Sequence, residues 1–341
     1  MAGWPLLRSF GVGLAGTGCA AGARRAESVS GLEVKASWQV PLKDSPAYAD
    51  QLAWAPDSRR LAVGAGADKH MSVWDVRDGR PLPAPDNQAG GVDALAYSPD
   101  GRYLAVSRGS IGRGAELYAV SIRDGQSGAL IQGLVEEPSE LKNIQASSLV
   151  FSRDGRYLAV GYHIHAALYT QESGVWRRTG GLGPGAQCVG LSPDGSSLAI
   201  YGIARPHIFV CRVPSMEVVR DWPAVRHPDW GYPTLAYRPT GGQIAAGYGQ
   251  VLGIFSPEDG RLLKELKARF ASFWALAYSP DGRYLAAADS QAVTLLDSET
   301  WSELAALPVV TRPYGIGFSP DGAMLAATQG PNVKIWEFSR Q

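Results

Sequence analysis

The sequence predicts an all-β ring of seven four-stranded antiparallel blades, a β-propeller closed by an N-terminal strand. Three observations carry this. One eleven-residue pattern recurs seven times, at steps of 43, 54, 40, 46, 41 and 40 residues, and a period near 40–45 residues is that of one blade. Forty-one glycines and 23 prolines punctuate short apolar runs along the whole chain, as turns between strands do. One aromatic or large apolar column, Trp54, Tyr97, Phe151, Leu191, Tyr237, Tyr278 and Phe318, sits at the same place in every copy.

Each element of a copy follows from its residues. In the second, Leu95 and Tyr97 alternate with Ala94 and Ala96, which suits a strand sandwiched between neighbouring sheets. Ser98-Pro99-Asp100-Gly101 then reverses the chain. Proline fixes φ, aspartate bonds nearby amides and glycine accepts a positive φ. Tyr103-Leu104-Ala105-Val106 returns as strand b. Third strands read as Ser72 to Val76 or Val333 to Glu337, and fourth strands follow polar turns such as Arg77-Asp78-Gly79 and Glu258-Asp259-Gly260. Burying each member of the aromatic column contributes roughly 1.5–3 kcal/mol. A lone four-stranded sheet cannot bury both faces, whereas seven stacked radially can.

The copies resemble WD repeats over about Leu32 to the C-terminus. The first is nearest, with Asp68 six residues before Trp74-Asp75. The seventh keeps Trp336 but has Glu337, and the Gly-His dipeptide of the family is missing throughout. Most blades therefore lack the Asp–His–Ser/Thr–Trp network that braces many members. The chain ends just after the third strand of the seventh copy, which leaves a sheet edge to be paired. Leu32 to Val40 is strand-like and otherwise unassigned, so it is predicted to supply the outer strand there.

Residues 1–28 are read as a leader and 29–341 as the propeller. Arg8, a thin apolar stretch and the small residues Thr17-Gly18-Cys19-Ala20 have the layout of a secretory signal. The segment resembles a bacterial lipoprotein signal, which implies lipidation at Cys19, membrane attachment through it and a place in the cell envelope or periplasm. A disordered leader on a cytoplasmic protein is the alternative. Gly11, Gly13 and Gly16 form a nominal dinucleotide fingerprint without the strand and helix that such a site needs.

Lysine plus arginine and aspartate plus glutamate both total 32. The balance offers no general field for nucleic acid, so none is expected as a partner. No G-x-S-x-G elbow, H-E-x-x-H helix, Walker loop or EF-hand loop occurs. The expectation is a non-catalytic scaffold, with no cofactor or metal, that presents a loop face to a protein or peptide. The alternatives are a hydrolase or lactonase-like propeller, or a small-ligand sensor, with its site at the channel mouth.

The b–c turns and the connections into strand a share one face of this topology, and such loops carry function more often than the scaffold does. Arg226, His227, Trp230 and Tyr232 lie in one long connection, and Trp274, Arg312 and Tyr314 reach the same face from the last two copies. These are residue types favoured at binding hot spots. Arg108 and Arg205 are expected in b–c turns there, and Trp222 as packing for the loop. The mouth positions of strand a read Asp50, Asp93, Ser147, Gln187, Pro233, Trp274 and Tyr314. His163 and His165 are read as residues of a b–c turn, and Glu136, Glu137 and Glu140 as a solvated acidic loop. Cys188 and Cys211 fall two strands apart, roughly 9–10 Å from the ~4.8 Å strand spacing. That exceeds the roughly 7 Å disulfide limit, so two buried, unpaired thiols are expected.

Overall fold

The computed structural model describes residues 32–41, 49–65, 71–83, 91–108, 119–134, 145–183, 185–202, 206–225, 233–270 and 272–340. They form seven four-stranded antiparallel sheets arranged as a propeller. Among the described residues no helix is long and apolar enough to cross a membrane. Blade 2 shows the plan, with strands a to d at Val92–Tyr97, Tyr103–Arg108, Val120–Asp124 and Leu130–Leu134. Burial falls outward along it. Strand b is buried throughout, whereas Leu130 and Ile131 of strand d are 43% and 46% exposed.

The turn between strands a and b is built as its residues dictate. Ser98 Oγ donates to Asp100 Oδ1 at 2.6 Å and accepts from the Tyr103 amide at 2.9 Å. The Arg102 amide donates to the same carboxylate oxygen, and Gly101 takes φ +70°. Ser152/Asp154, Ser192/Asp194, Ser279/Asp281 and Ser319/Asp321 repeat the hydroxyl–carboxylate bond at 2.6 Å. In blade 1 Ser58 occupies the glycine position at φ +54°. There Asp57 is held by the Arg59 and Arg60 amides and by Arg60 Nε at 2.6 Å.

Blade 7 joins the first and the last described strands. Strand Leu32–Pro41 pairs antiparallel with Asn332–Arg340, Leu32 opposite Arg340 and Pro41 opposite Asn332. Among the described residues, three hydrogen bonds stitch the seam with blade 1. Trp38 Nε1 donates to Val76 O at 3.1 Å, Trp54 Nε1 to Gly317 O at 2.9 Å, and the Asp321 amide to Ser58 Oγ at 3.0 Å. The sheet edge left open by the last strand is thus covered by the first, as the sequence predicted.

Some expectations need correction or refinement. Arg108 is not in a turn; it is the last residue of its strand and is buried, with its amide donating to Ala119 O. Trp222 lies in strand d of blade 4, Val218–Pro223, and packs on Phe255 at 6.1 Å as part of an inter-blade core. Both thiols are free and buried as expected, although the Cys188 residue as a whole is only partly buried where Cys211 is fully so. Strand register also sets them three rows apart, Cys188 opposite Tyr201 and Cys211 opposite Leu198.

Candidate binding face

Strand a of every blade begins at the ring's centre, and there the starts of these strands, the b–c turns and the d–a connections meet. They enclose a central cavity of about 1080 Å³. Asp93, Ser147, Gln187, Pro233, Trp274 and Tyr314 all line it, at the positions the repeat assigned to the mouth. The Asp50 side chain lies outside the described residues, as do Arg205, Arg226, His227, Trp230, Tyr232, Glu136, Glu137, Glu140 and Cys19.

Trp274, Arg312 and Tyr314 come together. The Trp274 and Tyr314 rings meet edge to face at 5.3 Å and 74°, a favoured geometry for aromatic pairs. The Arg312 guanidinium lies 4.9 Å from the Trp274 ring centroid, a contact worth about 0.5–1 kcal/mol at an exposed site. The backbone holds this group firmly. The Trp274 amide donates to Ala288 O at 2.8 Å, and the Gly315 amide to Thr328 Oγ1 at 3.1 Å. Pro313 is buried and biases Arg312 towards an extended backbone. The neighbouring b–c turn of blade 6 is shaped by buried Asp289, which accepts from the amides of Phe270, Gln291 and Ala292.

Three further features complete the lining. Val310 stands 81% exposed beside Arg312. Gln51, Gln145, Gln187 and Gln291 give the wall neutral amides from four blades. His163 also lines the cavity, its amide donating to Gln145 O at 3.2 Å. Gln187 stands at an expected mouth position, whereas Gln51, Gln145 and Gln291, being uncharged, carried no such signal. His163 and His165 do occupy a b–c turn, between strands Tyr157–Tyr162 and Ala166–Glu172. His165 stacks on Tyr162 at 4.7 Å.

Two observations bear on the chemistry of the lining. Burial pushes the Cys188 thiol up to about 12, and its Sγ donates to Pro233 O at 2.9 Å. A thiol so held is not the thiolate that attacks or ligates. Among the described residues no group of three or more His, Cys, Asp or Glu side chains is placed to hold a metal ion.

The family model described as WD domain, G-beta repeat, matches residues 49–75. That segment holds strands a to c of blade 1, where Trp74 Nε1 donates to Ser72 Oγ at 2.8 Å and Asp75 accepts from Arg59 Nε at 2.7 Å. Comparison with curated proteins gives no significant match. One matched repeat and seven blades of the same four-stranded build together support a WD-repeat propeller.

Proposed function

We propose that the protein is a non-catalytic interaction scaffold whose channel face binds a protein or peptide partner. The observation that carries this reading is the rigid Trp274–Arg312–Tyr314 group at the mouth of the cavity, with exposed Val310 beside it. Aromatic and arginine anchors seated among polar, near-neutral neighbours are the usual makeup of an interface centre. Arg226, His227, Trp230 and Tyr232 extend the same surface in this proposal. Cross-linking followed by mass spectrometry on the full chain and on a Trp274→Ala/Tyr314→Ala variant tests it. A partner cross-linked to this face and lost from the variant is expected; a partner retained undiminished by the variant refutes it.

A small-ligand site is the second reading, favoured by the cavity itself, whose volume of about 1080 Å³ is of the order of ligand pockets. Stoichiometric metal or a co-purifying small molecule in the isolated protein would favour it over the scaffold.

For the N-terminal part we propose that residues 1–28 are a leader and that Cys19 is lipidated, anchoring the ring in the cell envelope. Detergent-phase partitioning that is lost on Cys19→Ser is the expected result. A protein that stays in the aqueous phase with Cys19 intact would return the cytoplasmic reading.

A further inference from the structure

A second surface, away from the channel mouth, follows from one position of the repeat. Two residues after the turn glycine, six copies place a large side chain: Arg60, Tyr103, Tyr157, Gln243, Tyr284 and Met324. The fourth copy has Ser197. In the structure this position faces the aromatic-column residue of the following blade. Tyr103 shares a core with Phe151, Tyr157 with Leu191, Tyr284 with Phe318 and Met324 with Trp54. Tyr278 donates to Gln243 across the same kind of interface, and Arg60 reaches over it to Gly125 O at 3.0 Å.

Between blades 4 and 5 that filling is missing, and a groove of about 1070 Å³ opens. Ser197, Tyr237, Val218 and Arg220 line it, with Gly241 and Gly242 standing where blades 2, 3 and 6 carry glycine and arginine. A Cβ added to either glycine would meet nothing within 4 Å, so the blade 5 turn leaves the groove uncovered. The Tyr237 hydroxyl is buried without a well-formed hydrogen bond. Burial raises its pKa while the Ser197 side chain lowers it, so these two groups face each other across the floor. Val218 is 40% exposed on the rim. Arg212 is paired with Glu217 at 2.7 Å, whereas Arg220 has no carboxylate partner among the described residues; Asp194, also in the lining, and Arg220 act on Tyr237 in opposite directions through their charges.

We propose that the groove between blades 4 and 5 binds a partner peptide that inserts a tyrosine side chain, flanked by an acidic residue that pairs with Arg220. The partner supplies from outside the ring that blades 2, 3 and 6 supply from within, as Tyr103, Tyr157 and Tyr284. The three internal tyrosines are the evidence that a phenol ring fits against this surface, and the free guanidinium sets the charge of its neighbour. A segment of peptide, rather than a phenol alone, is required to bring both groups to the rim and floor together.

The experiment uses the full chain and a fluorescein-labelled acetyl-Glu-Tyr-Ala peptide, read by anisotropy. Saturable binding near or below about millimolar Kd is expected. Ser197→Tyr, which restores the repeat residue, is expected to weaken it at least about tenfold without lowering the melting temperature. Arg220→Glu, an exposed position, is expected to weaken it similarly and to accept a Lys-Tyr-Ala peptide instead. Trp274→Ala/Tyr314→Ala leaves binding unchanged, which separates this site from the channel mouth. No saturable binding, equal binding by Ser197→Tyr, or equal binding of a leucine-for-tyrosine peptide overturns the proposal. So does p-cresol competing as well as the peptide, which would make the groove a small-phenol site. Concentration-dependent self-association abolished by Ser197→Tyr would assign it to a second copy of the chain and overturn the proposal too.

Discussion

Replacing Trp38 tests ring closure at a single residue. Its indole packs with Trp54, Trp74 and Ile335 across the blade 7–blade 1 seam and donates to Val76 O at 3.1 Å. Fully burying a tryptophan and then deleting it to alanine costs about 3–5 kcal/mol. Trp38 is half-buried, so about half of that applies, and the lost hydrogen bond adds about 0.5–1.5 kcal/mol. Trp38→Ala should therefore destabilise by about 2–4 kcal/mol, and Trp38→Phe, which keeps most of the apolar contact, by about 1 kcal/mol. Urea unfolding followed by circular dichroism reads both, with the midpoint falling and the slope m unchanged. Deleting residues 29–41 should do more, since it exposes the whole edge of Asn332–Arg340 and releases the seam; a collapsed fold is expected, whereas deleting 1–28 should leave the melt unchanged. A Trp38→Ala change below about 0.5 kcal/mol, the scale of an ordinary surface substitution, would refute the view that the N-terminal strand locks the ring.

Three further outcomes are expected. Gln132→Ala should cost about 1–3 kcal/mol in thermal or urea melts, because its side-chain amide bonds both the backbone O and the backbone N of Trp176 in the next blade, at 2.8 and 2.9 Å; an unchanged midpoint would show that the link is idle. Stability should fall as pH drops through the acid range: at Asp194 the Ser192 hydroxyl leads in holding the carboxyl below its ordinary value, and at Asp100 and Asp154 burial by itself raises it but is outweighed by the Ser98 or Ser152 hydroxyl and a backbone amide. A folded pKa lowered beneath the unfolded value near ~3.9 gives stability that is present above that value and lost as pH falls through the folded one, so melts from pH 6 to pH 2 should show the loss, and Asp194→Asn should flatten it. In a Cys19→Ser variant, burial that pushes Cys188 and Cys211 up to about 12 should keep both thiols unreactive to iodoacetamide at about neutral pH until denaturant is added; stoichiometric labelling of the native ring would contradict this.

The repeat made most of the scaffold legible, because each blade's turn and apolar alternation are local facts. Ser98-Pro99-Asp100-Gly101 specifies its own hydrogen bonds, and the missing fourth strand of the last copy pointed to Leu32–Val40, which the structure extends by one residue to Pro41. Inter-blade chemistry was harder. Nothing near Gln132 in sequence announces that it serves as a strand partner for Trp176, since the pairing depends on how two sheets tilt. Arg108 was misplaced because strand b of blade 2 extends to Arg108 itself. Trp274, Arg312 and Tyr314 were placed on one face by topology, yet their stacking depends on side-chain directions that no local pattern sets. The groove at Ser197 was written plainly in the alignment of copies; it went unread because a serine after a turn looks ordinary until its neighbours show what size belongs there.

Pairing Leu32 with Arg340 has a consequence for biosynthesis. The first strand of the ring to leave the ribosome waits for the ring's last, a delay of about 15–60 s at ordinary elongation rates of about 5–20 residues per second. Through that interval the nascent chain carries an unsatisfied strand at its front and an unfinished arc behind it, both open to wrong partners. Circular permutants that begin at Ala49 and carry residues 32–41 at the C-terminus would make both halves of the closing sheet together, and should gain yield in rapid expression without altering the finished ring.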